Sequence, residues 1–293
     1  MSHLLLLPAH CRNLHEYAHI FLNVDSILID SRKLMNYRAE TDMLASQRKA
    51  LILDILRRDG QVIAKVLADD LGLSEDTIRR DLREMASEKL LKRVHGGALP
   101  LSPDLPDFSA RQSVSSDEKR RLGAYAANMV RPSQTIFLDG GTTNAEIVRH
   151  LPKDLAITIV THSPTIAGEL EHHPAADVIL IGGKLYKHSM VATGAVAMAA
   201  IASIRPDMFF LGVTAIHPAR GFSTGDFEEA AIKRHIAQCS AETYVLATRE
   251  KLDAASPCQI LPMTGVSGLV VPSDVPEESL APYRDAEVSL FMA

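Results

Sequence analysis

Leu73-Ser74-Glu75-Asp76-Thr77-Ile78-Arg79-Arg80-Asp81-Leu82 decides how the front of this 293-residue chain is read. Gly72 breaks whatever precedes it, and Ser74 has the place and chemistry of a helix N-cap. Glu75 and Asp76 follow in the first turn, where the helix dipole favours acids. Ile78, Leu82 and Met85 then fall on one stripe. At about 100° per residue, Asp76, Arg80 and Arg83 lie on the opposite face, flanked by Thr77 and Arg79. Upstream, Leu51, Ile52, Ile55 and Leu56 form the apolar face of a helix that Asp59-Gly60 ends. A short second helix carries Val66, Leu67 and Leu71 inward. Downstream, Leu90-Leu91-Lys92-Arg93-Val94 reads as a strand and Gly96-Gly97 as a hairpin turn. Three helices and a hairpin make a small winged helix-turn-helix module over residues 44–99.

Two arginines on the solvent side of a short helix after a glycine turn are what a major-groove helix requires. Arginine bonds guanine in bidentate fashion, and Thr77, Ser74 and the helix start can hold phosphate. Lys92, Arg93 and His95 line the wing beside Gly96, where a sugar–phosphate backbone can approach. Residues 43–97 carry 11 Lys and Arg against 9 Asp and Glu, and the rest of the chain 20 against 27. A mildly basic front on an acidic remainder suits an anionic partner. The pattern alone also fits a solvated face on a protein-contact module.

Hydrophobic residues are 46% and charged residues 23% of the chain, which is ordinary globular composition. It excludes global disorder and a disulfide scaffold. Cys11, Cys239 and Cys258 cannot pair evenly, so a reducing, cytoplasmic setting is expected. No apolar run approaches the ~20 residues of a bilayer-spanning helix, and no membrane partner is expected. The cysteines and the adjacent His172-His173 lack ligand spacing, so neither a metal nor a cofactor is expected. Residues 1–43 show no sustained period and are read as an N-terminal extension, with Met43 the natural initiator. Residues 100–117, with Pro100, Pro103 and Pro106, read as a linker.

From residue 118 to 293, short β-rich runs alternate with helical stretches. This α/β pattern implies a mostly parallel sheet with helices on both faces. The strand Thr135–Leu138 runs into Asp139-Gly140-Gly141-Thr142-Thr143-Asn144 and a helix. Its glycines, hydroxyls and free helix-start N–H groups make phosphate-cradle chemistry, yet neither a Walker loop nor a dinucleotide fingerprint. Thr161-His162-Ser163 and Gly182-Gly183-Lys184 follow later strands, and ligands on open α/β sheets sit at strand carboxyl ends. Lys233 and Lys251 could add positive charge.

The stretch Leu73–Leu82, followed by Arg93-Val94-His95-Gly96-Gly97-Ala98, resembles the signature of the DeoR family of bacterial sugar-catabolism regulators. The resemblance continues over most of 108–293. It implies a ribose-5-phosphate-isomerase-like effector domain, operator DNA as partner, and a dimer or tetramer. It also implies that Asp139, Gly141, Thr142, Thr143, Thr161, Ser163, Gly182, Gly183, Lys233 and Lys251 surround a phosphorylated sugar or polyol. Three departures stand out. Lys89 replaces the glycine that usually ends the recognition helix, so that helix end is expected to differ slightly. His162 stands where the family often has Asn, and Thr248 where it commonly has Asp.

The rival reading is an isomerase. Aldose–ketose isomerisation needs a general base, usually a carboxylate. The corresponding stretch, Gly212-Val213-Thr214-Ala215, has none. Asp207 reads as structural, and Asp226, Glu228 and Glu229 are the remaining acids. Fusion to a DNA reader makes sensing the more economical role, and catalysis is not expected.

Overall fold

The computed structural model describes residues 43–103 and 108–293. The expected extension lies outside the described residues except for Met43. The front module runs α1 (Ala45–Asp59), β1 (Val62–Ile63), α2 (Ala64–Leu71), α3 (Glu75–Ser87), β2 (Lys92–Val94) and β3 (Gly97–Leu99). Ile52, Leu56, Leu67, Ile78, Leu82, Met85 and Leu91 close a core of their own. Ser74 caps α3, its Oγ accepting from the Thr77 N–H at 3.2 Å. Asp81 faces inward and takes a bidentate bond from Arg48 at 2.7 and 3.1 Å, which ties α3 to α1.

Three local expectations are corrected. Val66 is 44% exposed, because Ala64, Leu67 and Ala68 define the buried face of α2 and Val66 lies about 100° off it. The unanticipated β1 completes a three-stranded wing in the order β1-β3-β2. Gly97 serves that pairing: a Cβ there would lie 1.7 Å from the Val62 carbonyl oxygen. Of the two glycines, Gly96 is exposed at the wing turn and Gly97 is buried in β3. The end of α3 keeps a left-handed residue although it is Lys89, with φ 56°, and Leu90 N–H bonds Met85 O at 3.0 Å. The lysine therefore bears the conformational cost that glycine avoids, without changing the cap.

The second unit comprises α4 (Phe108–Arg111), α5 (Ser116–Ala127), β4 (Thr135–Leu138), α6 (Thr142–His150), β5 (Ile157–Thr161), α7 (Pro164–Glu169) and β6 (Ala176–Leu180). Then come the hairpin β7 (Lys184–Tyr186)–β8 (Val191–Thr193), α8 (Ala195–Ile201), β9 (Met208–Leu211) and the hairpin β10 (Ala215–His217)–β11 (Gly221–Thr224). The chain ends with α9 (Phe227–Cys239), β12 (Glu242–Leu246), β13 (Cys258–Leu261), β14 (Gly268–Val271), α10 (Glu277–Asp285) and β15 (Leu290–Met292).

Seven strands form one sheet in the order β15-β14-β12-β9-β4-β5-β6, and every pair in it is parallel. Alternation along the strands divides the core. Phe137, Phe209 and Val245 pack on one face with Ile201, Ile236 and Tyr283 from α8, α9 and α10. Ile136, Leu138 and Phe210 pack on the other with Leu122, Ile147 and Ile166 from α5, α6 and α7. Chain order turns outward in opposite directions from the neighbours β4 and β9. That reversal opens a crevice at their carboxyl ends.

Candidate functional site

On the front module, Ser74, Asp76, Arg80, Arg83, Lys92, Arg93, His95 and Gly96 are exposed, and Thr77 and Arg79 half-buried. They divide between the α3 surface and the wing. Arg79 is partly engaged, its guanidinium 2.8 Å from Glu75 one turn back. Arg80 has no side-chain bond among the described residues, so its five donors are available for base edges.

The second site lies at the β4/β9 reversal. Gly140, Gly141, Thr142, Thr143 and Asn144 line one wall of a pocket there, Thr214 the β9 exit, and Glu250 and Lys251 the β12 exit. The start of α6 opens into it with N–H groups that have no side-chain cap. Facing that start are Arg111, Lys119 and Lys251. Arg111 donates to His188 O at 2.8 Å, and Lys119 to Arg111 O at 2.6 Å and to Val114 O. The Lys251 ammonium has no hydrogen bond or ion pair among the described residues. Burial pushes it down to about 8, with Lys119, Arg111 and Lys233 adding repulsion and Glu250 opposing. Burial likewise lowers Lys119.

Beneath the pocket is a closed ionic cluster. Asp139 accepts from Gly140 N–H at 2.7 Å, Gly212 N–H at 2.8 Å, His162 Nε2 at 2.8 Å and Lys233 Nζ at 3.2 Å. Lys233 completes its three donors with Glu229 at 3.0 Å and Gly212 O at 2.7 Å. His162 has Ala192 O at 2.9 Å from Nδ1 and Asp139 at Nε2, so both ring nitrogens face acceptors. Burial acts to raise Asp139 and Glu229. Lys233 beside both, His162 at Asp139 and Thr224 at Glu229 outweigh it and hold both carboxyls below their ordinary values.

Of the residues expected around the ligand, Gly141, Thr142, Thr143, Lys233 and Lys251 line the pocket. Asp139 lies under it, fully buried. Thr161 and Ser163 are turned into main-chain bonds, with Leu138 O at 2.7 Å and Met190 O at 2.8 Å. Gly182 and Gly183 lead from the edge strand β6 into the β7–β8 hairpin and do not line it. The reason is topological: the crevice is flanked by β4, β9 and β12, whereas β5 and β6 lie to one side. Arg111, Lys119, Ser189, Thr214 and Glu250 are among the polar residues that line it unanticipated. Arg111 falls in the stretch read as a linker, where no periodicity marks it. Thr214 carried a usable signal, because it follows the exit of a central strand. Asp207 is structural, accepting the Thr135 N–H at 2.7 Å. Among the described residues no group of three or more His, Cys, Asp or Glu could hold a metal ion, and no helix is long and apolar enough to cross a membrane.

A winged helix-turn-helix joined to a parallel α/β unit with a cation-lined crevice defines the class of one-chain regulators that read DNA with one unit and sense with the other. Residues 48–103 match the DeoR-like helix-turn-helix domain and residues 114–273 the DeoR C-terminal sensor domain, and the chain belongs to the DeoR family. It is 29% identical over 250 residues to the HTH-type transcriptional regulator GlpR of Haloferax volcanii, spanning 85% of this chain and 98% of that protein. It is 31% identical over 217 residues to the HTH-type transcriptional regulator FruR of Bacillus subtilis, with 73% and 86% spanned. To the glycerol-3-phosphate regulon repressor of Escherichia coli it is 29% identical over 210 residues, with 71% and 83% spanned. Among solved structures, ribose 5-phosphate isomerase A of Methanocaldococcus jannaschii aligns with 46% of this chain and 54% of that chain, at TM-score 0.35 and 15% identity. The protein is a DNA-binding transcriptional regulator.

Proposed function

We propose that the protein represses a carbohydrate or polyol catabolic operon in the cytoplasm and is released from its operator by a phosphorylated sugar or polyol. Residues 44–99 read the operator, 118–293 sense, and 100–117 connect them while lending Arg111 to the pocket. The carrying observation is the uncapped start of α6 facing Arg111, Lys119 and Lys251 across one crevice. A phosphate satisfies the orphan N–H groups and the repelling cations together. Thr214, Ser189 and Glu250 supply partners for hydroxyl groups. The glycerol-3-phosphate repressor among the relatives supports this ligand class. Operators read by paired recognition helices ~34 Å apart call for a dimer or tetramer.

The engagement of Glu229 and Asp226 argues against isomerisation. Glu229 is tied to Lys233 and Thr224, and Asp226 caps α9 by accepting the Glu229 N–H at 2.8 Å. Both carboxylates are thus taken up by structural partners, and Glu229, against the effect of burial, is held below its ordinary value by Lys233 and Thr224, away from what a general base needs. Ligand weakens operator binding by as much as it prefers the conformer incompatible with DNA. The test is a gel shift on DNA upstream of the gene, titrated with a panel of sugar and polyol phosphates. One compound should release wild type but not the Thr142→Ala/Thr143→Ala protein, and none should be isomerised. Release of both proteins alike removes the α6 loop from the site, and turnover revives the enzyme.

A further inference from the structure

A short strand and a turn run from the pocket rim to the DNA-binding module. Thr214 lines the pocket, and three residues later His217 Nε2 donates to Leu56 O, in the last turn of α1, at 2.8 Å. Lys251 lines it too, and two residues later Asp253 pairs with Arg57 at 3.5 Å. We propose that these two segments form a strap that sets the position of α1, and hence of the reader, according to whether an anion occupies the pocket. The proposal rests on the pocket reading above and names His217, Arg220 and Asp253 as positioning residues.

The contact on α1 is built for its carboxyl end. His217 Nδ1 accepts from the Ala219 N–H at 3.2 Å, so Nε2 carries the ring proton. Arg220 donates to Gly60 O at 3.2 Å. Its stem lies so close that a Cβ on Gly60 would fall 2.6 Å from Arg220 Cγ, and Gly60 itself has φ +69°. Donors thus grip the carboxyl end of the helix, where Leu56 O also accepts the Gly60 N–H at 2.9 Å and the helix dipole favours donors and cations. A second attachment holds the chain leaving the wing: Ala255 N–H donates to Leu101 O at 3.1 Å, and the Ser102 and Ser256 hydroxyls meet at 3.1 Å. Gripping the module at both α1 and its exit fixes its orientation.

The two segments are tied to each other. Ala254 N–H bonds Ile216 O at 3.2 Å. The hydroxyl of Tyr283, a buried residue of α10, accepts from Asp253 N–H at 2.8 Å and lies 3.3 Å from Ile216 O. Asp253 holds a left-handed φ of 56°, which fixes its carboxylate at the turn. An anion drawing Lys251 inward displaces the Arg249–Lys251 3-10 turn, and the strap passes the shift to Asp253. The named junction bonds are polar and the module's core holds only residues 51–98, so the junction can be remade without opening either core.

The test uses the full chain with inorganic phosphate as probe. Phosphate binding is read by calorimetry, and amide hydrogen exchange over residues 56–63 with and without it. Phosphate should change exchange there about fivefold or more in wild type. In the Arg220→Met/Asp253→Asn protein it should bind with unchanged affinity but leave that exchange unaltered. Arg57→Gln, an exposed position outside the sensor, should lose the response similarly if the double variant misfolds. Phosphate bound by wild type without an exchange response overturns the strap while sparing the pocket. A response that persists in the variants also overturns it. Failure of phosphate to bind overturns both.

Discussion

Lys233 and Asp139 meet at 3.2 Å beneath the pocket, sealed from solvent, with every donor of the lysine already used. The ammonium therefore holds the floor together and has no N–H to spare for a ligand. Lys233→Met leaves Asp139 and Glu229 buried without their cation, a change that costs about 3–5 kcal/mol. Urea unfolding should show that loss. Lys251→Met, which breaks no bond, should leave the unfolding midpoint in place and weaken phosphate binding instead.

Lys251, held at about 8, gives the pocket a pH signature. An anion prefers its protonated form, so affinity should be full below pH 8 and decline as pH rises through that value. A phosphate monoester gains its second charge near pH ~6. Calorimetry from pH 5.5 to 9 should trace a maximum between the two, with proton uptake on binding near pH 8. Lys251→Met should flatten the alkaline limb.

Sequence patterning was decisive where local rules and burial agree. Ser74 before the Ile78/Leu82/Met85 stripe marks α3, and the apolar run Thr135–Leu138 marks β4. The phosphate loop at Gly141–Thr143 was legible because glycine, hydroxyl and strand-to-helix order coincide. Lateral strand order was not legible, since β5 and β9 carry equally apolar runs; Thr161 and Ser163 were therefore assigned to a crevice that lies elsewhere. The roles of Asp139 and Lys233 depend on partners 73 to 94 residues apart that spacing cannot bring together. Arg111 and Lys119 entered the site only through the fold.

The two faces of the reader should separate in experiment. Arg80→Ala should cost about 1–3 kcal/mol on a cognate operator and relax sequence preference, as expected of a base contact. Lys92→Ala and Arg93→Ala, on the exposed wing, should weaken cognate and random DNA alike. Each should reduce the slope of log K against log salt by about 1. Anisotropy titrations at several salt concentrations on both DNAs distinguish the two behaviours.

His217 makes the junction between the units sensitive to acid. Its ring is neutral in the docked form, with Nδ1 accepting from Ala219 and Nε2 donating to Leu56. Burial lowers its affinity for a proton, Arg220 adds to that, and Leu56 O, Asp253 and Asp59 oppose it without prevailing. The docked form thus binds fewer protons than an undocked histidine, whose ordinary value is about 6.5. Docking is accordingly favoured fully above that value and lost as pH falls through the lowered one. Exchange over residues 56–63, corrected for its intrinsic pH dependence, should therefore rise between pH 7.5 and 5.5. His217→Gln keeps a side-chain donor but cannot titrate, and its corrected exchange should be flat over the same range. A wild-type profile equally flat would show that the imidazole does not hold α1.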